Sequence, residues 1–213
     1  MTDNALFWNG IAEKYARTPV ANPAAFDRKI ALTKARMRPE HHLLEIGCGT
    51  GSLALRLAPS AAQIHGLDIS TEMVRIARGK AAAAGVDNVT FHVGPFDDSF
   101  TAFAPESFDG ICAYSILHLM EDRPAALARM FSLLKPGGFF ASSTAVLGES
   151  LVPYRPILAV ARAFGKAPEV VTVLRKSTLE ADVRAAGFVD VQQPDVGAEP
   201  TIAFMLATKP ALG

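Results

Sequence analysis

Three glycines at alternate positions, Gly47, Gly49 and Gly51, follow a short apolar run that ends in Glu45. Glycine tolerates positive φ and lets a ligand lie directly against the main chain. A helix that starts after such a turn adds free N–H groups and a partial positive charge. The pattern predicts a turn that binds a nucleotide-like ligand. A purely turn-forming role is the alternative, and three alternating glycines after a buried strand favour binding.

The spacing of the glycines separates two ligand classes that use a turn of this kind. The dinucleotide fingerprint is G-x-G-x-x-G. Counted from Gly47, it requires a third glycine where this chain has Ser52. The chain instead has acid-x-G-x-G-x-G, with Glu45 leading. A nicotinamide-dependent oxidoreductase is therefore disfavoured, although it stays an alternative that binding of NADH would test.

Alternating strands and helices must position this turn. Short apolar runs predict strands, and the stretches between them have helical spacing, which indicates right-handed crossovers and a parallel sheet covered on both faces. The predicted strands are HLLEIG, QIHGLD, VTFHVG, FDGICAYS, FFASST, FVDVQQ and IAFMLATK. A short loop joins the last two, which is typical of a hairpin. We expect an α/β fold with a doubly wound, seven-stranded, mostly parallel, Rossmann-like sheet and an antiparallel last strand.

Helices outside the sheet pattern predict lids over its edge. Asn22 as N-cap and Pro23 at the first position mark the second of two N-terminal helices. A capping box of Ser177 and Glu180 predicts the start of the helix after the fifth strand. We expect one domain over residues 1–213. Its predicted parts are an N-terminal helical lid (1–40), a cofactor-binding core (41–145), an inserted lid helix (146–176) and a closing helix with terminal hairpin (177–213).

Composition excludes several classes of protein. Lys+Arg and Asp+Glu both total 21, so the basic surplus of a nucleic-acid binder is absent. Two cysteines, Cys48 and Cys112, in predicted core segments fit neither a disulfide scaffold nor a zinc site. No signal peptide and no run of about 20 apolar residues is found, which predicts a cytoplasmic protein without stable membrane insertion. The sequence does not define the oligomeric state.

Five motifs in order resemble those of the class I S-adenosylmethionine-dependent methyltransferases. The likeness extends over roughly 7–209, and the motifs are LLEIGCGTGSLAL, HGLDIS, FDGICAYSILHL, LLKPGGFFASST and LEADVRAAGFVDVQ. The resemblance implies S-adenosyl-L-methionine as cofactor and S-adenosyl-L-homocysteine as product. The sequence is most similar to the small-molecule branch that includes quinone-biosynthesis methyltransferases. A non-catalytic module that binds S-adenosylmethionine would share every cofactor residue and stays an alternative.

The resemblance also implies roles for single residues. Asp68 would hold the two ribose hydroxyls, Glu45 would orient the methionine amino end, and Tyr15 would lie against its carboxylate end. Pro95 stands where many relatives carry an acidic residue towards adenine, so backbone groups, Phe96 or Asp97 would replace it. The predicted cofactor-binding residues are Tyr15, Glu45, Gly47, Cys48, Gly49, Gly51, Asp68, Ile69, Met73, Gly94, Pro95, Phe96, Ala113, Tyr114 and Ser115.

The predicted acceptor is a small, partly apolar molecule whose accepting atom (O, N, S or C) stays open. His118 follows the fourth strand and is the candidate general base, with a structural role as the alternative. Ala113 to Ile116 lack the tetrapeptide of amino-methylating DNA enzymes, and no third ligand supports a metal site. Residues 150–168 predict an amphipathic helix. It is interpreted as a lid, with an entrance for an apolar substrate or a contact with anionic lipid as alternatives.

Overall fold

A computed structural model describes residues 3–211, and a seven-stranded sheet lies at its centre. The strands are β1 (His42–Ile46), β2 (Gln63–Asp68), β3 (Val89–Val93), β4 (Phe108–Tyr114), β5 (Leu134–Ala145), β6 (Val189–Gln192) and β7 (Ile202–Thr208). Their order in the sheet is β3-β2-β1-β4-β5-β7-β6. β1 to β5 pair in parallel, whereas β7 runs antiparallel to both β5 and β6. The predicted fold class, including the antiparallel last strand, is confirmed.

Seven α-helices lie within the described residues, two before β1 and five between strands. They are α1 (Asp3–Arg17), α2 (Pro23–Lys34), α3 (Ser52–Leu57), α4 (Thr71–Ala83), α5 (Arg123–Leu133), α6 (Tyr154–Ala163) and α7 (Lys176–Ala185). Two helix starts follow from local sequence. The Asn22 side chain accepts a hydrogen bond from the Ala25 N–H, and the Ser70 hydroxyl accepts one from the Met73 N–H. Both residues are N-caps, and the N-cap predicted at Asn22 is confirmed.

The capping box predicted at Ser177 and Glu180 is wrong. α7 begins at Lys176, so Ser177 already lies inside its first turn. The Lys176 N–H donates instead to Oε1 of Glu149 at 2.8 Å. Glu149 lies before α6 in the chain. Glu180 pairs with Arg184 at 2.8 Å, one turn further along the same helix. A carboxylate distant in sequence therefore takes the place of the local cap.

Helices cover both faces of the sheet. Successive side chains of a β-strand point to opposite faces, and in β1 the apolar side chains on both faces are buried. In β1, Leu43 joins an apolar cluster with Leu53 of α3 and Val74 of α4. Its neighbour Leu44 joins a second cluster with residues of α5 and α7, among them Leu127 and Leu179. With both faces buried, the carboxyl ends of the parallel strands are the edge left for a ligand.

α1 lies across the start of α4, and polar side chains contribute to this contact. The Asn9 Oδ1 accepts hydrogen bonds from the Ser70 hydroxyl at 2.6 Å and from the Glu72 N–H at 3.2 Å. The Arg75 guanidinium forms an ion pair with Glu13 at 2.6 Å. These contacts place α1 beside the carboxyl end of β2.

α6 lies outside both apolar clusters, and none of its ten residues is buried. Within residues 3–211, no helix has the length and the apolar character needed to cross a bilayer.

Candidate functional site

A cavity of about 600 Å³ opens at the carboxyl ends of β1, β2, β3 and β4. Its volume lies in the range of about 300–1,000 Å³ that is usual for small-molecule sites. Most of the predicted cofactor residues line it, namely Tyr15, Gly47, Gly49, Asp68, Ile69, Met73, Gly94, Pro95, Phe96, Tyr114 and Ser115. The strand–turn–helix pattern therefore brings these residues to one site.

Asp68, at the end of β2, connects two turns at the floor of the cavity. Its Oδ2 accepts from the Gly49 N–H at 2.8 Å, and its Oδ1 accepts from the Ser70 N–H at 2.9 Å. Burial raises the pKa of this carboxyl, and the two N–H donors oppose that shift. Each carboxylate oxygen has a second lone pair, so the group can still accept from two hydroxyls of a ligand.

The three glycines of the turn all have positive φ, but different neighbours require them. A Cβ on Gly47 (φ +70°) would lie 2.8 Å from the Ile116 side chain. A Cβ on Gly51 (φ +76°) would lie 2.8 Å from the Phe91 ring, so the protein core fills that space. Beside Gly49 (φ +52°) the nearest atom belongs to the Tyr15 ring, 3.9 Å away. The main chain at Gly49 is therefore open to a ligand. Glycine is required at position 51 because the Phe91 ring occupies the space that a Cβ would need.

Glu45 lies beneath the turn and does not line the cavity. It is buried in β1, and the Ala54 N–H donates to its carboxyl group. Its Oε2 is buried without a partner among the described residues. Burial, and secondarily the Asp68 carboxylate, raises the pKa of Glu45 to about 8. At neutral pH the protonated acid is therefore favoured.

Cys48 and Ala113, both predicted to bind the cofactor, also have buried side chains outside the cavity lining. The Cys48 side chain belongs to the apolar cluster on the α3 and α4 side of the sheet. Burial, and then the Glu45 and Asp68 carboxylates, raises the pKa of its thiol. A thiolate at this turn is thus disfavoured.

Two segments form the roof of the cavity. From α1, Trp8 and Tyr15 pack edge to face with their ring centroids 6.4 Å apart. Burial, and then the nearby Asp68 and Glu45 carboxylates, raises the pKa of the Tyr15 phenol. The Asn4 Oδ1 accepts from the Glu169 N–H at 3.1 Å, which ties α1 to the second lining segment, residues 168–170.

The end of β4 carries strain and buried polar contacts. Ser115 has φ +56°, and its N–H donates to the Ser143 carbonyl at 2.6 Å. Left-handed backbone in a residue other than glycine is uncommon and concentrates at functional sites. The Tyr114 hydroxyl lies 2.8 Å from the Thr33 hydroxyl of α2, in the core. Tyr114 therefore lines the cavity although its hydroxyl group is bonded within the core.

His118, the predicted base, does not line the cavity. Its Nδ1 is buried without a partner among the described residues, and burial lowers the pKa of the imidazole to about 4. Its carbonyl accepts from the Thr172 N–H at 2.8 Å. The side chain is therefore neutral near pH 7, and its role as a base stays a prediction.

Arg129 is a cavity residue that sequence reasoning missed. It lies on α5, and its guanidinium stands 5.6 Å from the centroid of the Phe96 ring. It also pairs with Asp98 at 3.3 Å and donates to the Phe100 carbonyl. The guanidinium thereby holds the loop after β3 against the cavity. No local motif marks this residue, because the contact depends on how α5 packs.

Among residues 3–211, no group of three or more His, Cys, Asp or Glu side chains could hold a metal ion.

The profile of a family described as Methyltransferase domain matches residues 38–173. Ubiquinone/menaquinone biosynthesis C-methyltransferase of Geotalea daltonii is 36% identical over 115 residues, which cover 52% of this chain and 48% of that protein. Nocamycin O-methyltransferase of Saccharothrix syringae is 31% identical over 176 residues, covering 73% of this chain and 62% of that protein. The chain thus spans less than two thirds of the length of these relatives.

One solved structure illustrates the likeness of fold. Phosphoethanolamine N-methyltransferase 2 of Haemonchus contortus, in complex with S-adenosyl-L-methionine, has a TM-score of 0.71. The alignment covers 95% of this chain and 60% of that chain at 18% identity. At this identity the comparison concerns the fold alone.

Proposed function

The chain belongs to the methyltransferase domain family, and from that premise we propose that it transfers a methyl group from S-adenosyl-L-methionine to a small, partly apolar acceptor. The observation that carries the proposal is the convergence of the glycine turn, Asp68 and Tyr15 on one cavity. The proposed setting is the cytoplasm, which two unpaired cysteines support.

The residues of the cavity fit the proposed cofactor. Asp68 would accept from the ribose hydroxyls through its free lone pairs. Gly49 leaves the main chain open to the methionine part, with Tyr15 across the turn, and Gly47 lines the cavity beside it. The adenine would then extend from Asp68 towards the end of β3, where Pro95 and Phe96 line the cavity. Proline has no N–H and no carboxylate, so neighbouring backbone groups and Phe96 would contact the base.

The chain's own contribution to the reaction would be alignment and exclusion of water. When bound, S-adenosyl-L-methionine supplies a methyl group already activated on a sulfonium. The glycine turn and Asp68 would fix the donor, and the strained Ser115 backbone would form a rigid wall beside it. The roof of α1 and residues 168–170 would keep water from the reacting atoms. Such positioning accounts for much of the rate enhancement in a displacement of this kind.

The apolar lining supports a partly apolar acceptor. Besides Asp68 and the glycine turn, the cavity wall includes Trp8, Leu119, Met120 and Val170. The two curated relatives are named for transfer to carbon and to oxygen, and the structural neighbour for transfer to nitrogen. We therefore propose a small organic acceptor, with nucleic acid disfavoured by the balanced charge of the chain.

An acceptor screen tests the proposed function. Purified protein is mixed with S-adenosyl-L-methionine and a panel of phenols, enolisable ring compounds, amines and thiols, and release of S-adenosyl-L-homocysteine is measured. Calorimetry against S-adenosyl-L-methionine and NADH is done in parallel. Binding of the sulfonium with turnover of one acceptor class is expected. Binding of NADH alone would contradict the proposal, and binding without any turnover would support a non-catalytic module instead.

A further inference from the structure

α6 and the loop before it present an apolar surface that the rest of the described chain does not cover. Ile157, Val160 and Phe164 lie on one flank of the helix and are 49%, 59% and 73% exposed. Leu151 and Val152, just before the helix, are 103% and 45% exposed. We refer to these five residues as the α6 surface. A helix this short is marginal in water unless its apolar side packs against something.

The charged residues of the segment that carries the α6 surface are all basic, between Glu149 and Glu169 at its two ends. Residues 150–168 include Arg155, Arg162 and Lys166 and no acidic residue, in a chain whose acidic and basic residues are equal in number. Arg162 donates to the carbonyls of Pro168 and Val171 at 3.3 and 3.0 Å, which fixes the chain after α6. Arg155 and Lys166 are exposed to solvent. The segment thus combines an apolar flank with a basic polar side.

We propose that the α6 surface docks on an anionic lipid surface. An apolar side opposite a polar side rich in Lys and Arg is typical of helices that lie in the plane of a membrane interface. Anionic headgroups attract basic residues over a screening distance of about 8–10 Å, so the basic side need not touch the lipid. A second copy docked on the apolar flank would leave the basic residues on the opposite side without an acidic partner, whereas anionic headgroups supply one. Lipid is therefore favoured over self-association.

α6 is tied by hydrogen bonds to a segment that lines the cavity. Arg162 of α6 holds the segment in which Pro168, Glu169 and Val170 line the cavity. Docking would bring that edge of the cavity close to the lipid. The consequence that an apolar acceptor enters from the membrane rests on the proposed function, whereas docking itself does not.

Co-sedimentation with vesicles tests the docking. The full chain is mixed with vesicles of phosphatidylcholine alone and with mixed phosphatidylcholine–phosphatidylglycerol vesicles, at low and at added salt. Strong binding to the anionic vesicles, weak binding to the neutral ones and weakening by salt are expected. No methyl acceptor is present, so a failure here is independent of a failure of the proposed function.

Two variants separate the apolar and basic contributions. Ile157→Gln/Val160→Gln/Phe164→Gln removes the apolar flank, and at least a tenfold loss of binding is expected. Arg155→Gln/Lys166→Gln removes two charges, for which a loss of about fivefold per charge is expected. The matched controls are Val20→Gln, at a side chain 46% exposed, and Lys14→Gln/Arg38→Gln. Both controls should bind anionic vesicles as the parent chain does.

Several outcomes would overturn the docking proposal. One is absence of binding to anionic vesicles at low salt. Another is an equal loss in the Lys14→Gln/Arg38→Gln control, which would indicate unspecific charge attraction. Light scattering in solution tests for self-association. A dimer that the triple variant abolishes would assign the α6 surface to a second copy of the chain. If the triple variant does not fold, the charge variant and its control decide alone.

Discussion

The Gly49 N–H donates to the Asp68 carboxylate at 2.8 Å, which joins the glycine turn after β1 to the end of β2. The second oxygen of the same carboxylate holds the Ser70 N–H at the start of α4. One side chain therefore shapes the floor of the cavity and also presents lone pairs to a ligand. Substitution at Asp68 should affect stability and ligand binding together.

Asp68→Ala should reduce the affinity for S-adenosyl-L-methionine by about a hundredfold, because charge-assisted hydrogen bonds of about 1.5–3 kcal/mol are lost. Calorimetry measures the affinity. Urea unfolding measures the loss of stability expected because the Gly49 and Ser70 N–H groups lose their acceptor. Asp27→Ala is the matched control, since Asp27 is an exposed aspartate outside the cavity lining that pairs with Arg56. Unchanged affinity in Asp68→Ala would show that the ribose assignment is wrong.

Gly51→Ala should destabilise the fold by about 2–4 kcal/mol, from left-handed backbone strain and from overlap with Phe91. Gly85→Ala is a control with the strain but without the overlap, because Gly85 has φ +62° and no atom lies within 4 Å of the added Cβ. Its expected loss is about 1 kcal/mol. Urea unfolding of both variants measures the difference, and equal losses would contradict the packing role assigned to Gly51.

Glu45→Gln should become more stable than the parent chain as pH rises. The folded pKa of Glu45 is about 8, above the ordinary 4.5, so between these values the folded state keeps a proton that the unfolded state has released. The free energy of unfolding of the parent therefore falls with rising pH, by at most about 1.4 kcal/mol per unit. Urea unfolding across this window tests it, and parallel pH profiles for the two proteins would refute the raised pKa.

His118→Gln should flatten the acid side of the stability profile. The folded pKa of His118 is about 4, below the ordinary 6.5. Between these values the unfolded state binds a proton that the folded state does not, so stability falls as pH drops. Partial exposure limits the effect to about 2 kcal/mol. His42→Gln, on an exposed side chain, is the control.

The same variant tests the proposed base once an acceptor is known. For an acceptor that must lose a proton, His118→Gln should lower kcat while the affinity for S-adenosyl-L-methionine is unchanged. An unchanged kcat would leave His118 with a structural role only.

Glu149→Ala should destabilise the protein by about 1 kcal/mol, as the loss of a helix cap does. Its carboxylate accepts from the Lys176 N–H, the first residue of α7. Ser177→Ala, which removes the hydroxyl of the wrongly predicted cap, should change stability by less than about 0.5 kcal/mol. Thermal unfolding measures both stability changes. A larger loss in Ser177→Ala than in Glu149→Ala would contradict the cap assigned to Glu149.

Local chemistry explains which features the sequence could predict. Asn22 and Ser70 bond to N–H groups three residues on, so their roles follow from position alone. Gly47, Gly49 and Asp68 could be placed together because parallel strands end at the same edge of the sheet. The division into lids, core and terminal hairpin stays a prediction.

Contacts between distant segments explain what the sequence could not predict. Glu149 caps a helix that begins far along the chain, and Arg129 reaches the loop after β3 only because α5 packs beside it. The Tyr114 hydroxyl finds Thr33 across the core. None of these pairs has a sequence spacing that marks it.

The position of β7 has a consequence for synthesis on the ribosome. β7 pairs with β5 along seven residues, from Phe139–Thr208 to Ala145–Ile202, and separates β5 from β6. While residues 202–208 are still in the exit tunnel, β5 has an open edge, and β6 has no strand to join. The nascent chain can assemble the cavity before its sheet is complete, so a ribosome that stalls late would release a protein prone to edge-to-edge aggregation.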